Sequence, residues 1–263
     1  MTAASWRGAE LGTRTVDYTE RDAILYALAV GATAQDLDLV FEERLRVLPT
    51  FALTLAQWAP DELGSRGAFD TSTAVHGAQR LEVLRPLPRS GSLTMTAAVA
   101  EVWDKGSAAL FEVAVESDCF LATWTLFAPG CGGFGGQRGP TSPKSPRTPP
   151  DHRLAVATAP NQAALYRLLG DRHHMHIDPA AARAAGQPKP FLHGLCTLAT
   201  TTLAVAQQYG AHPADLRRLE ARFAGPVFPG DQLSVSCWRT GVIAFGAEVE
   251  QRPALTGGEV EFG

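Results

Sequence analysis

The chain is short of positive charge, of cysteine pairs and of long apolar runs, and each shortage excludes a class of function. The formal charge is −4 and the pI is near 6.0, with no lysine or arginine run to offset that balance. A nucleic-acid partner is therefore not expected. The four cysteines, Cys119, Cys131, Cys196 and Cys237, are scattered without a C-x-x-C spacing. In a chain too large to need stapling they read as the reduced thiols of a cytoplasmic protein. No apolar stretch approaches the roughly 18 residues of a membrane span, so no membrane partner is expected. The opening Met1-Thr2-Ala3-Ala4-Ser5-Trp6-Arg7 has neither the basic start nor the apolar centre of a secretory signal. The closing Glu261-Phe262-Gly263 is not a peroxisomal address of the Ser-Lys-Leu type.

Hydrophobic residues make up 45% and charged residues 19% of 263 positions. That composition supports a packed core, in one large domain or two of about 130 residues. Five prolines within residues 139–150 exclude a helix or an inner strand there. The segment reads as a linker between residues 1–138 and residues 151–263. The two parts resemble each other: Tyr26/Tyr166, Leu28/Leu168, Phe51/Phe191, Pro86/Pro226 and Leu93/Leu233 are each 140 positions apart. The order of elements carries more weight. Each part opens with a Tyr-x-Leu helical turn ending at Gly31 or Gly170. Each continues with an apolar run of helical length, residues 51–59 or 195–206, and closes in strand-like alternation.

Residues 92–103 and 107–116 flank Asp104-Lys105-Gly106, a hairpin signal, and residues 119–127 add a third strand. Residues 232–239 and 242–250 flank Thr240-Gly241 in the same way. Consecutive hairpins imply an antiparallel meander, and one long helix per part would bury its apolar stripe on a sheet face. The expected fold is α+β, a double hot-dog: two repeats, each a long helix wrapped by a curled antiparallel sheet.

Chemistry concentrates in Gly170-Asp171-Arg172-His173-His174-Met175-His176-Ile177-Asp178-Pro179 and in Phe191-Leu192-His193-Gly194, which leads into the second apolar run. Asp171 and His176 are five apart, a spacing that lets both converge from a turn onto one small molecule such as water. A carboxylate and an imidazole together can take one proton while giving another. The structural alternative has Asp171 capping a short helix and His176 on the surface. Gly194 would let a ligand approach the backbone, and the N–H groups of a helix start stabilise an oxyanion; an ordinary helix start is its alternative. His173, His174 and His176 invite a metal, but adjacent histidines point apart in extended chain. Neither H-E-x-x-H nor a Cys/His zinc spacing occurs, so no metal and no cofactor is expected. Gly130-Cys131-Gly132-Gly133-Phe134-Gly135 formally fits G-x-G-x-x-G, yet Gln137-Arg138-Gly139-Pro140 denies it the following helix that a dinucleotide needs. It reads as a flexible loop. Lys105, in a hairpin turn, is a solvated lysine unless the ligand is anionic.

Four motifs then occur in order: Tyr166-Arg167-Leu168-Leu169-Gly170-Asp171; Met175-His176-Ile177-Asp178-Pro179; Phe191-Leu192-His193-Gly194-Leu195-Cys196-Thr197; and Ala221-Arg222-Phe223 with Pro226-Val227-Phe228-Pro229-Gly230. The set resembles hydratase 2, the MaoC-like (R)-specific enoyl-CoA hydratases that include the hydratase part of peroxisomal multifunctional enzyme type 2. Tyr26-Ala27-Leu28-Ala29-Val30-Gly31-Ala32, Leu48-Pro49-Thr50-Phe51, His76-Gly77, Leu87-Pro88, Asp104-Lys105-Gly106-Ser107 and Gly132-Gly133-Phe134-Gly135-Gly136 extend the resemblance over essentially the whole chain.

The resemblance implies a double hot-dog fold. It also implies reversible syn addition of water to a trans-2-enoyl-CoA, giving the (3R)-3-hydroxyacyl-CoA. Asp171 and His176 match the family's catalytic pair, and Gly194 the backbone amide that holds the thioester oxygen. His76, Gly77, Lys105 and Phe223 match positions along the acyl-CoA path, and Arg172, His173, His174 and Met175 join them as substrate-binding positions beside the pair. The implied partners are an acyl-CoA thioester and a second copy of the chain. The equivalent stretch of the first half, Ala32-Thr33-Ala34-Gln35-Asp36-Leu37, has no histidine, so one half would carry the pair while the other opens to house an acyl chain. The chain departs from the family pattern at His173-His174, where Asn-Pro is usual, at Ala78, where Glu is usual, and at Leu169, where Ser is typical. His173 turned into the site would add a group titrating near neutrality beside His176; turned to solvent, it would add nothing. A hot-dog thioesterase and a catalytically weak acyl-CoA-binding protein are the alternative readings.

Overall fold

A computed structural model describes residues 2–141, 145–146 and 148–263, so part of the expected linker lies outside the described residues. The strands are β1 (Glu10–Tyr18), β2 (Val75–Val83), β3 (Gly91–Asp104), β4 (Ala108–Glu116), β5 (Phe120–Pro129), β6 (His152–Ala157), β7 (Leu216–Phe223), β8 (Gln232–Arg239), β9 (Ile243–Val249) and β10 (Arg252–Phe262). The helices are α1 (Glu20–Ala29), α2 (Leu37–Val40), α3 (Phe51–Leu55), α4 (Trp58–Ser65), α5 (Gln162–Tyr166), α6 (Pro179–Ala184) and α7 (Gly194–Tyr209).

The ten strands among the described residues form one antiparallel sheet in the order β1-β3-β4-β5-β2-β7-β10-β9-β8-β6. Read outward from the central β2–β7 pair, both halves have the same order, with β7, β10, β9, β8 and β6 taking the places of β2, β5, β4, β3 and β1. The repeat suspected from the 140-residue offset is thus present in the topology, and the architecture is the expected double hot-dog. Ala78 faces Arg222 and Leu81 faces Leu219 across the seam. Inside, Tyr26 and Tyr166, one of the offset pairs, meet at 6.0 Å between ring centroids.

The second half has its long central helix. In α7 the side chains from Leu195 to Leu203 are buried on every face, as expected of a helix wrapped by sheet. Gly210 ends it at φ +68°, in the left-handed conformation that glycine adopts without penalty. The first half departs from the expected single helix. Residues 51–59 break between α3 and α4, because Pro60 has no N–H to donate to the Ala56 carbonyl. The Ala59 N–H takes that carbonyl at 3.1 Å instead. The break leaves Gln57 and Asp61 on the wall of a cavity.

The glycine-rich segment after β5 also differs from expectation. Asp104 accepts from the N–H groups of Gly106, Gly133, Gly135 and Gly136 at 2.8, 2.9, 2.8 and 3.3 Å. These bonds hold its carboxyl down at about 2. A Cβ on Gly132 would sit 2.4 Å from the Ala108 and Gly106 carbonyl oxygens. The segment is a tethered loop, and glycine is required where it crosses the β3–β4 hairpin.

Candidate active site

A cavity of about 850 Å³ opens between the two halves. The chain reaches it through the loop that follows α5. Gly170 passes so close to α3 that a Cβ there would lie 2.9 Å from the Thr54 carbonyl oxygen, which brings Asp171 to the cavity wall. A single 3₁₀ turn, His174–His176, swings His176 inward. The segment before α7 supplies Phe191 and His193, and Gly194 starts the helix. Among the described residues no side chain caps the first turn of α7, so its leading N–H groups are left for a ligand. Gly194 lies against Phe223 of β7: a Cβ would be 2.9 Å from the ring. The Phe223 ring in turn packs at 4.5 Å on His76 from β2.

The histidines are fixed by backbone carbonyls. His176 donates from Nδ1 to the Phe191 oxygen at 2.9 Å, which leaves the Nε2 lone pair free. His193 donates from Nε2 to the Asp171 backbone oxygen at 3.1 Å, and its buried Nδ1 has no partner among the described residues. The two rings stack at 3.8 Å. Burial lowers both pKa values, that of His193 to about 3 with help from the charge of His176. Both imidazoles are therefore neutral at pH 7.

Asp171 is ionised. Burial works to raise its pKa, but the His173 hydrogen bond, the charge that His193 carries only in acid, and the charge of His173 outweigh it and hold the carboxyl below the usual range. His173 donates to Oδ1 from its backbone N–H at 3.0 Å and from Nδ1 at 2.5 Å. That hydrogen bond drives the His173 pKa up to about 9, against partial burial. His173 is half-exposed to solvent, yet its ring is bonded to Asp171. It is the cation of an ion pair with Asp171, and the titration expected near neutrality moves to about pH 9.

Of the sequence-selected residues, His76, Asp171, His173, Met175, His176, Gly194 and Phe223 line the cavity. Arg172 and His174 do not; both are exposed. Gly77 lies behind His76 in a β-bulge opposite β5, where a Cβ would press to 3.3 Å on the Thr125 oxygen. Lys105 stays in the β3–β4 turn, where its ammonium group donates to the Arg138 carbonyl oxygen. Burial and the charges of Arg138 and Arg222 lower its pKa, so it belongs to a basic cluster outside the cavity wall. Sequence reading assigned no role to Asp61, which enters from α4 with a pKa raised chiefly by burial. Nothing local could have marked it, since the fold alone brings it to Asp171. His193 was in view within the His-Gly step, but its place against His176 was not. The Asp171, His176 and His193 donor atoms lie within 4.8 Å of one another, a three-ligand set unlike the consecutive histidines first considered.

Residues 141–256 match the family model described as MaoC like domain, and residues 16–121 match the MFE-2 hydratase 2 N-terminal domain. The chain is 39% identical over 254 residues to the peroxisomal multifunctional enzyme type 2 of Mus musculus, a match covering 89% of this chain and 34% of that longer protein. It is 38% identical over 271 residues to the 3-hydroxyacyl-thioester dehydratase Y of Mycobacterium tuberculosis, covering 94% of this chain and 93% of that one. The crystal structure of a MaoC-like dehydratase from Phytophthora capsici superposes with a TM-score of 0.88 at 29% identity, over 100% of this chain and 98% of the other. The chain belongs to the MaoC-like dehydratase family, in the group that carries the hydratase 2 N-terminal domain of multifunctional enzyme type 2.

Proposed function

We propose that this chain is an (R)-specific enoyl-CoA hydratase and 3-hydroxyacyl-CoA dehydratase. The observation that carries the reading is the meeting, on one cavity, of an ionised carboxylate, a neutral imidazole with a free Nε2, and the uncapped N-terminus of a buried helix. Asp171 and His176 hold a water molecule between them. The pair takes a proton from that water as its oxygen bonds to C3, and returns the proton to C2 on the same face, which gives syn addition. Charge that develops on the thioester oxygen is held by the Gly194 N–H, backed by the α7 dipole. Phe223, braced by His76, closes the opposite side of Gly194.

In this reading residues 1–138 supply walls for the acyl chain, residues 151–263 the catalytic pair, and residues 139–150 the connection between them. Gln57 and Asp61, exposed to the cavity by the α3–α4 break, belong to the acyl side. The protein acts on fatty acyl-CoA in the cytoplasm as a homodimer; the four free thiols fit a reducing compartment. Crotonyl-CoA, followed by loss of its conjugated thioester absorbance, tests the activity, and light scattering tests the dimer. Release of free CoA in place of hydration would assign a thioesterase. Tight acyl-CoA binding without turnover would assign a binding protein.

A further inference from the structure

The groups proposed to hold the reacting water are also a set that a metal ion can use. Asp171, His176 and His193 bring one donor atom each to within 4.8 Å of one another. Each histidine spends one ring nitrogen on a backbone carbonyl, His176 Nδ1 on Phe191 and His193 Nε2 on Asp171, so the remaining nitrogen is the one open to a metal. That outer hydrogen bond fixes tautomer and ring orientation in metal-binding histidines. His193 Nδ1 is buried without a partner among the described residues, in a side chain only 2% exposed. Both recorded contacts of the Asp171 carboxylate fall on Oδ1, so taking a ligand on Oδ2 breaks neither.

The geometry points to a site for a borderline divalent cation, Zn²⁺ foremost, bound by Asp171, His176 and His193 in the place of the reacting water. Two imidazoles and one carboxylate suit zinc, cobalt and nickel, whereas magnesium and calcium prefer all-oxygen sites. Zinc bonds of about 2.0–2.2 Å require donors roughly 3.3 Å apart, so groups within 4.8 Å of one another close by up to about 1.5 Å on binding. The occupied site blocks hydration, because the ion takes Asp171 and His176 from the water. The inhibition rests on the proposed hydratase activity; the binding does not.

The test therefore measures binding first, by calorimetry with Zn²⁺ alone and by the visible absorption of Co²⁺ added to the metal-free chain without substrate. Wild type binds one ion per chain. His193→Gln, which retains a donor for the Asp171 carbonyl, and Asp171→Asn each weaken binding by at least about tenfold, while His174→Ala leaves it unchanged. Circular dichroism verifies that the variants are folded. The same Zn²⁺ concentrations then stop crotonyl-CoA hydration in wild type, and a chelator restores it. Absence of binding below millimolar Zn²⁺ overturns the site, as does binding that survives both ligand substitutions. Binding at the site without loss of hydration overturns the inhibition and leaves the ligand assignment standing. A chain that binds Zn²⁺ there but never hydrates enoyl-CoA overturns the proposed activity instead.

Discussion

Replacing His173 by asparagine removes the cation beside the catalytic carboxylate, and the size of the effect follows from the geometry. The His173 ring donates to Asp171 Oδ1 at 2.5 Å, and this bond, with smaller charge contributions from Asp171 and Asp61, carries the pKa from 6.5 to about 9. His193 and His176 face the same carboxylate and are neutral, so they do not replace the lost charge. At full weight a rise of that size corresponds to roughly 3 kcal/mol. The ring is 51% exposed, and solvent screening leaves about 1 kcal/mol. The folded pKa lies above the unfolded value, so this stabilisation is complete below about pH 6.5 and is lost as the pH rises through about 9. Wild type should exceed His173→Asn by about 2–4 °C in Tm near pH 6, and the two should converge near pH 10. The Asp171 carboxyl, relieved of the cation, should titrate higher. Any alkaline limb of the hydration rate near pH 9, where wild-type His173 loses its proton, then disappears. Thermal melts and crotonyl-CoA rates across this range measure both effects. A stability difference that is the same at pH 6 and pH 10 would falsify the ion pair, and identical pH–rate profiles would sever it from catalysis.

Asp171→Asn and His176→Ala should each lower kcat by a factor on the order of 10² to 10⁴, with acyl-CoA binding largely kept; near-wild-type turnover in either would mean that the acid/base pair lies elsewhere. Gly194→Ala should force a Cβ to within 2.9 Å of the Phe223 ring; displacing that ring should cost about 1–3 kcal/mol of stability, and Phe223→Leu should recover part of the loss if the contact is the cause. Lys105→Ala should raise KM more than it lowers kcat, as expected for a contact to a CoA phosphate, and added salt should shrink the difference; an unchanged KM at low salt would return Lys105 to a purely structural bond with the Arg138 carbonyl.

Some of this could be read before any coordinates. The hairpins around Lys105 and Gly241 and the buried helix after Gly194 follow from alternation, turn residues and an unbroken apolar run, all of which are local signals. Strands β2 and β10 gave weaker signals. Gly77 bulges β2, and Pro253, Gly257 and Gly258 interrupt β10, whose register slips against both neighbours. The α3–α4 break turns on Pro60, just beyond the run that suggested a single helix. Asp171 and His176 could be singled out because a short turn makes them meet. His193 and Asp61 are 22 and 110 positions from Asp171, and no periodicity connects positions so far apart.

The sequence by itself determined which segments curl into sheet, which helix is buried, and that an acid and a histidine share one loop, because those outcomes depend on neighbours along the chain. Tertiary structure decided the charge and the partner of every group in the site. Gly170 slips past Thr54, α7 points its N-terminus at the cavity, and the half-exposed His173 pairs with Asp171. Burial then sets which groups are charged, and burial depends on residues distant in the chain but adjacent in space.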